Sequence, residues 1–224
     1  MTAPNHVPLA AILAGGRATR MGRDKADILL GGIPLIERVF DRVREVADAV
    51  VIVGGPQRMN HRGVPTLPDR YPGANAIGGI ATALVQALQL VGPQAWVLCV
   101  ACDTPFLEPA LLRLLAARRG NADIVVPRTS QGWEPLCALY RATCLPGFEQ
   151  AIARGNLRVL DAYSQIRCQT VLEEELRRVD PDLRSFFNVN RPTDLALAEQ
   201  LAARTNPGEQ GKRTRGGERS HTDR

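Results

Sequence analysis

Short apolar runs alternate along the chain with segments of helical periodicity. The runs at 9–13, 50–53 and 96–102 are almost entirely apolar, which predicts strands that are covered on both faces of a sheet. Between them, apolar residues recur every three to four positions, which predicts amphipathic helices. This alternation is typical of a single α/β domain with a mostly parallel central sheet and helices on both faces.

The remaining elements follow from the same patterns. Helices are predicted around Leu35–Val46, Ile77–Leu88, Leu111–Leu115 and 145–154, and from Pro192 onward with Leu195, Ala198 and Leu201 on one face. Further strands are predicted at 66–68, 123–126, 136–140, 166–172 and 186–189. We assign residues 1–204 to one domain. Residues 205–224 contain no Ala, Val, Ile, Leu, Met, Phe, Tyr or Trp, which predicts a disordered basic polar tail.

Charge and hydrophobicity exclude several classes of protein. The net charge is +5, but the tail alone holds five basic and three acidic residues. The rest is nearly balanced and has no basic helix, so we expect no nucleic-acid partner. No apolar run reaches the roughly 18–20 residues of a membrane span, and residues 1–8 lack the basic start of a signal peptide. We expect a cytoplasmic monomer without a membrane partner.

The cysteines do not point to a disulfide framework or a redox site. There are five of them, an odd number that argues against paired disulfides. Cys99 and Cys102 have C-x-x-C spacing, but they lie at the end of the run 96–102 rather than at the start of a helix. We therefore interpret them as buried strand cysteines.

A glycine-rich loop with four basic side chains follows the first predicted strand. The segment 13–25 reads LAGGRATRMGRDK. Its glycines allow sharp turns with accessible N–H groups, and its arginines and Lys25 add positive charge, so it predicts a polyphosphate cradle. It is not a Walker loop, because the spacing from Gly16 to Gly22 is one residue too long and Arg23 stands where that motif has its lysine. The G-x-G-x-x-G spacing of a dinucleotide fingerprint is also absent. An ordinary glycine-rich turn with solvated arginines is the alternative.

Polar residues follow other predicted strands at the same sheet edge. Asp103 comes directly after the run 96–102, where it could hold Mg²⁺ or cap the next helix. Asp69 follows a short strand, and Gly78 lies at the head of a helix, where it could admit a ligand or pack tightly against a loop. Asn188 and Asn190 could cap the last helix or reach the metal and the phosphates.

These motifs together resemble those of a known family. The segments LAGGRATRMGRDK, D-x-x-P-G, CDTPF, EPLCALYR and FFNVNRPTDL occur in the order found in the molybdenum cofactor guanylyltransferases, MobA-like nucleotidyltransferases, and span about residues 9–203. The first motif is shared with cytidylyl- and sugar-nucleotidyltransferases. The resemblance implies a Rossmann-like domain that uses Mg²⁺ and transfers GMP from GTP to molybdenum-bound molybdopterin with release of pyrophosphate. Molybdopterin carrier proteins or acceptor molybdoenzymes are the protein partners it implies.

The resemblance also assigns roles to residues. It implies backbone contacts of Leu13, Ala14, Gly15 and Gly16 with the nucleotide, a nucleotide contact for Asp69, and a contact of Lys25 with the phosphates. It implies a metal on Asp103, with Asn190 as a second metal or phosphate contact. Gly54 falls where the family often has a nucleotide-contacting Asn, and Gly78 lies beside the same site.

Chemical reasoning completes the hypothesis. The attacking phosphate oxygen is already ionised near neutral pH, so the reaction requires positioning and charge neutralisation rather than a general base. Lys25 and Arg20, with N–H groups of Gly15 and Gly16, would stabilise the growing charge. The segment 133–140 and Arg158 are candidates for the pterin side. The alternatives are a molybdopterin cytidylyltransferase, a sugar-phosphate nucleotidyltransferase, and a non-catalytic GTP-binding partner in cofactor assembly.

Overall fold

The central sheet runs through almost the whole chain. The computed structural model describes residues 5–15, 25–54, 63–164 and 166–205. Its strands are β1 (Val7–Leu13), β2 (Leu29–Leu30), β3 (Ile33–Pro34), β4 (Ala47–Val53), β5 (Thr66–Leu67), β6 (Trp96–Ala101), β7 (Ile124–Thr129), β8 (Gly132–Trp133), β9 (Cys137–Arg141) and β10 (Cys168–Leu172). Its α-helices are α1 (Leu35–Val43), α2 (Asn75–Leu90), α3 (Pro109–Ala117), α4 (Leu145–Ala153), α5 (Glu173–Leu176) and α6 (Pro192–Thr205).

The strand order in the main sheet is β10-β7-β9-β6-β1-β4-β5, with β8 paired to β7. All neighbours are parallel except β9, which runs against β6 and β7, and β8, which runs against β7. The carboxyl ends of β1, β4, β5, β6 and β7 therefore meet at one edge, together with the start of β9. Ligands of open α/β sheets bind beyond this edge.

Alternate side chains of each strand supply two cores, one on each face. In β1, Ala10 and Ile12 pack with α1 and α3, whereas Leu9 and Ala11 pack with α2 and α4. Every residue of β6 is buried, because helices cover both faces of this strand. The α/β fold with a mostly parallel sheet and helices on both faces is thus confirmed.

A third, smaller core joins the antiparallel β2–β3 hairpin to α6. It contains Leu30 and Leu35 from the hairpin region, with Val189 and Ala198 from the C-terminal part, all fully buried. The contact fastens the C-terminal segment beside the start of α1. The sequence patterns did not reveal this hairpin, because strands of two residues are too short to show a period.

The predicted strand at 186–189 is wrong. A 3₁₀ turn spans Arg184–Phe186, and the residues that follow are irregular. Val189 donates its backbone N–H to the Asp103 carbonyl at 2.9 Å and packs into the third core, as does Phe187. The apolar character of this segment therefore reflects packing against the β2–β3 hairpin and α6 rather than pairing within a sheet.

Two other boundaries differ from the predictions. Helix α1 ends at Val43, so Val46 lies in the turn before β4, and β4 begins at Ala47 rather than at residue 50. In the described part of the chain, no helix combines the length and the apolar character that crossing a membrane requires. Of the predicted tail at 205–224, Thr205 is the last residue of α6. Residues 206–224 lie outside the described residues, and their disorder stays a prediction.

Candidate active site

The glycine-rich loop begins at the end of β1, which lies between β4 and β6 in the sheet. The Ala14 N–H donates to the Val53 carbonyl at 2.8 Å, and the Leu13 carbonyl accepts the N–H of Cys102 at 3.2 Å. These bonds extend the β1 pairing to both neighbours and hold Leu13 and Ala14 at the carboxyl edge. Gly15 is exposed there. The predicted site residues Gly16 and Arg20 lie outside the described residues.

Gly54 approaches this loop so closely that no side chain fits. Its φ is +75°, and a Cβ atom would stand 2.7 Å from the Gly15 Cα and 2.8 Å from the Gly15 nitrogen. The Gly54 N–H donates to the Leu67 carbonyl at 2.9 Å. The Asn that the resemblance leads one to expect at this position is absent for a steric reason, because here the backbones of two strand ends are in contact.

Lys25 brings the loop into contact with two distant parts of the chain. Its Nζ donates to Asp103 Oδ2 at 2.9 Å and also to Asn190 Oδ1. The Asp103 side chain is 10% exposed and the Lys25 side chain 31%. The structure thus brings together three of the residues that the sequence singled out, on one buried carboxylate at the end of β6.

Backbone contacts hold Asp103 and Asn190 in place. The Thr104 hydroxyl donates to the Ala101 carbonyl at 2.9 Å, which fixes the turn after β6. The Asp194 carboxylate accepts the N–H groups of Asn190 and Arg191 at 2.9 and 2.8 Å, as a cap at the start of α6. Both oxygens that face Lys25 are therefore on rigid supports.

The alternative interpretations of these polar residues are now resolved. Asp103 does not cap α3, because that helix begins at Pro109 after Glu108. Asp194 rather than an asparagine caps α6. Asn188 is exposed, and its amide donates to the Phe186 carbonyl, so its side chain does not join that of Asn190.

Asp69 organises the loop that follows β5. Its Oδ1 accepts the Tyr71 N–H at 2.9 Å and the Thr82 hydroxyl at 3.2 Å. The Thr82 oxygen in turn accepts the Arg70 N–H at 3.0 Å. One oxygen of Asp69 is thus used to fold its own loop against α2, a contact that the sequence did not reveal.

Gly78 packs against this same loop. A Cβ atom there would lie 2.9 Å from the Tyr71 carbonyl oxygen and 3.0 Å from the Ala74 Cβ, so tight helix–loop packing, one of the two predicted roles, accounts for the glycine. The Tyr71 hydroxyl donates to Glu149 Oε1 at 2.6 Å. Burial and this carboxylate raise the pKa of Tyr71 to about 12.

The two halves of the edge differ in construction. We call the residues at and beside the ends of β1, β4, β5 and β6 the glycine side, comprising 13–15, Lys25, Gly54, 69–71, Asp103 and Asn190. We call residues 128–136, which form the β7–β8 hairpin and the turn into β9, the hairpin side. The Ala101 N–H donates to the Leu136 carbonyl at 3.0 Å, so the two sides adjoin directly after β6.

The hairpin side offers an aromatic ring and a carboxylate. The Arg128 guanidinium lies over the Trp133 ring at 5.3 Å. Glu134 is half-buried, and burial raises the pKa of this carboxyl. The Thr129 hydroxyl is its hydrogen-bond donor, at 3.5 Å. The EPL motif contains Glu134, but the sequence did not single this residue out, because burial of a glutamate leaves no signal in the pattern.

Two other predicted residues of this region have different roles. Tyr140 is fully buried, and its hydroxyl contacts the Pro135 carbonyl and the Tyr163 hydroxyl, each at 2.7 Å. It is therefore a core residue and not a substrate contact. Arg158 is exposed in the loop after α4, where it remains accessible. Cys99 and Cys102 are buried, which confirms them as structural cysteines.

A divalent cation fits the glycine side. The described residues contain no group of three or more His, Cys, Asp or Glu side chains that could hold a metal by themselves. Mg²⁺, however, usually binds through one or two protein groups together with substrate phosphates. Asp103 and Asn190 already turn two oxygens toward one positive charge, the Lys25 ammonium. Hard oxygen donors around a cation are the chemistry that Mg²⁺ requires.

This fold and site define a class of protein. A wound α/β sheet carries a glycine-rich loop, a lysine and a strand-end aspartate at its carboxyl edge, which is the arrangement of an enzyme that handles nucleotide phosphates. Residues 10–168 match the family model described as MobA-like NTP transferase domain. The chain belongs to this family and is a nucleotidyltransferase.

Individual relatives agree with this assignment. The chain is 37% identical to the probable molybdenum cofactor guanylyltransferase of Pelotomaculum thermopropionicum, with 88% of this chain and 94% of the relative covered. It is 37% identical to the molybdenum cofactor guanylyltransferase of Desulfosudis oleivorans, with 84% and 92% covered. A solved structure, molybdopterin-guanine dinucleotide biosynthesis protein A from Archaeoglobus fulgidus, superposes with a TM-score of 0.75 at 28% identity, covering 88% of this chain and 99% of that one.

Proposed function

We propose that this protein is a molybdenum cofactor guanylyltransferase. It transfers GMP from GTP to the terminal phosphate of molybdenum-bound molybdopterin and releases pyrophosphate. The observation that carries the proposal is the contact of Lys25, from the glycine-rich loop, with the buried Asp103 at the end of β6. The relatives that are named guanylyltransferases support the choice of nucleotide and acceptor.

The glycine side binds the nucleotide. The backbone of Leu13, Ala14 and Gly15 contacts the nucleotide at the carboxyl edge, where the Ala14 N–H already bonds to Val53 and Gly15 is exposed. Lys25 supplies positive charge for the phosphates. We extend the same role to Gly16 and Arg20 of the loop. Asp69 has a second carboxylate oxygen for the nucleotide, while its first oxygen folds the loop.

Asp103 and Asn190 are the residues that would hold Mg²⁺. When it is bound, this cation neutralises charge on phosphate oxygens. The protein itself orients the reacting groups. The acceptor phosphate is ionised near neutral pH, so no side chain has to remove a proton. Lys25 stabilises the charge that grows on the departing pyrophosphate.

The hairpin side binds the pterin. It adjoins Asp103 through the bond between Ala101 and Leu136, so a ligand bound there would lie next to the nucleotide phosphates. Trp133 offers an aromatic surface for a flat ring. Glu134 offers acceptor oxygens for the amino and ring N–H groups of a pterin. Exposed Arg158 can attract the negatively charged acceptor.

Pyrophosphate release from three nucleotides tests the proposal. The purified protein is incubated with Mg²⁺, molybdenum-loaded molybdopterin and either GTP, CTP or ATP. Release with GTP alone is the expected result. Release with CTP instead would make the protein a cytidylyltransferase. Binding of GTP without any release would favour a non-catalytic partner, and release with sugar phosphates as acceptors would favour a sugar-phosphate enzyme.

The cellular setting expected from the sequence stays a prediction of this proposal. We expect a cytoplasmic monomer that meets molybdopterin carriers or acceptor molybdoenzymes and does not bind nucleic acid. Removal of residues 205–224 should leave the kinetics of pyrophosphate release unchanged.

A further inference from the structure

The Lys25 ammonium occupies the place where a divalent cation would bind. Its Nζ lies 2.9 Å from Asp103 Oδ2 and contacts Asn190 Oδ1. These are the oxygens assigned to Mg²⁺ above. Two positive charges cannot share such a place without strong electrostatic repulsion, because charges only a few ångströms apart interact strongly near a protein surface. The ammonium and the metal therefore compete for the same two oxygens.

The carboxylate needs one of the two cations. Asp103 is 7% exposed as a residue, and a buried carboxylate without a partner is strongly destabilising. Lys25 meets this need from within the protein. In the absence of nucleotide the site is already neutralised, so a divalent cation gains little by entering and would have to displace the ammonium.

Lys25 is the member of the cluster that can move. Its side chain is 31% exposed, against 10% for that of Asp103. Asn190 is held by the bond of its own N–H to Asp194, and Val189 is tied to the Asp103 carbonyl. The long lysine side chain can turn away from these two oxygens, whereas both oxygen donors are held in place.

We propose that Lys25 is an internal counter-cation that keeps the divalent cation out until a nucleotide arrives. The phosphates of the nucleotide give the ammonium a new partner, and the two vacated oxygens then accept the metal. Metal and nucleotide consequently enter together, and the free enzyme does not bind the metal by itself. This inference rests on the metal use contained in the proposed function.

Binding of Mn²⁺ alone to the nucleotide-free, full-length protein tests the inference. The dissociation constant is measured by electron paramagnetic resonance for the native protein and for Lys25→Gln, which removes the charge. We expect Lys25→Gln to bind Mn²⁺ at least about tenfold more tightly than the native protein. The double variant with Asp103→Asn should lose this gain, because the carboxylate is the ligand.

Arg44→Gln is the matched control. It also removes one positive charge, but Arg44 follows the end of α1 at the opposite edge of the sheet and its side chain is 60% exposed. We expect this variant to bind Mn²⁺ like the native protein. An equal gain in both variants would reduce the effect to net charge and overturn the proposal.

A thermal measurement covers the case in which Lys25→Gln folds poorly. Mn²⁺ should raise the melting temperature of Lys25→Gln and leave that of the native protein unchanged, because a ligand stabilises only the state that binds it. Equal binding or equal stabilisation in both proteins overturns the proposal. Pyrophosphate release with GTP would then still support the proposed function, and a gain in Mn²⁺ affinity without such release would refute the function while leaving the counter-cation intact.

Discussion

The glycine side and the hairpin side adjoin at one edge of the sheet, yet they hold their functional groups differently. On the glycine side, backbone atoms are in direct contact and the charged side chains form a closed set, as with Gly54 against Gly15 and Lys25 on Asp103. On the hairpin side, the Glu134 carboxylate has one long hydrogen bond with the residues that the structure describes, and the Arg128 guanidinium lies over the Trp133 ring.

This difference matches the two ligands that we propose for the two sides. Phosphates are recognised by N–H groups and cations at short distances, so a tight backbone arrangement is useful there. A flat ring with hydrogen-bonding edges needs a surface and an acceptor that is not already used. The Glu134 carboxylate on the hairpin side can therefore accept further hydrogen bonds, at a cost in stability, whereas Lys25 and Asp103 on the glycine side already bond to each other.

The largest effect should come from Asp103 on the glycine side. Asp103→Asn removes the charge that faces Lys25, and we expect pyrophosphate release to fall by roughly 10²- to 10³-fold. Asp48→Asn is the control, since Asp48 lies at the far end of β4 with a side chain that is 53% exposed. Turnover of Asp103→Asn near the native value with Mg²⁺ would remove Asp103 from the mechanism.

Gly54→Ala tests whether backbone contact on the glycine side is required. The new Cβ would collide with Gly15, so we expect lower stability and a raised KM for GTP. Gly63→Ala is a matched control, because Gly63 has a φ of +77° but no described residue has an atom within 4 Å of the position that a Cβ would take. It should show only the backbone strain of about 1–2 kcal/mol. Chemical denaturation measures the free energy of unfolding of both variants. Equal losses would show that the contact between Gly54 and Gly15 contributes nothing to stability.

Glu134→Gln tests whether the hairpin side holds the Glu134 carboxylate at a cost in stability. Burial raises the pKa of Glu134 in the folded protein above the pKa of 4.5 that it has in the unfolded chain. The folded state therefore favours the protonated carboxyl, and ionisation of Glu134 lowers the free energy of unfolding once the pH exceeds 4.5. We expect Glu134→Gln to melt at a higher temperature at pH 7, with the gain vanishing as the pH falls below that value. The KM for the pterin acceptor should rise, while that for GTP stays the same.

Glu173→Gln should change the melting temperature in the opposite direction to Glu134→Gln. The Ser130 N–H and the Arg177 guanidinium lower the pKa of Glu173, so its charged form contributes stability above its unfolded pKa that disappears as the pH falls. This variant should melt slightly lower at neutral pH and leave both KM values unchanged. A lower melting temperature for Glu134→Gln as well would contradict the view that Glu134 is held at a cost.

The smallest effect should come from Tyr71 on the glycine side. Tyr71→Phe removes the hydroxyl bond to Glu149 but keeps the ring that packs on the loop. We expect the KM for GTP to rise about two- to fivefold, in line with the loss of one hydrogen bond, with little change in kcat. Steady-state kinetics at varied GTP measures this, and a large fall in kcat would show that the loop has a further role.

Local patterns were sufficient where a feature depends on neighbours in the chain. The periodicities predicted the parallel sheet and its flanking helices, and Asp103 was placed correctly because it directly follows an apolar strand. The final helix was predicted from Pro192, where it begins. The segment 186–189 was misread as a strand because its apolar residues pack on the β2–β3 hairpin and α6, which no local period reveals.

The sequence by itself determined the alternation of the main strands and helices and the residues that carry charge at the sheet edge, because burial on one face imposes a period and phosphate chemistry requires particular residue types. Only the tertiary structure decided which of these residues meet. Lys25 and Asn190 are 165 positions apart, and a side chain at Gly54 would collide with Gly15, which follows the end of another strand. Such contacts depend on how the sheet brings distant segments together, and they leave no periodic pattern in the sequence.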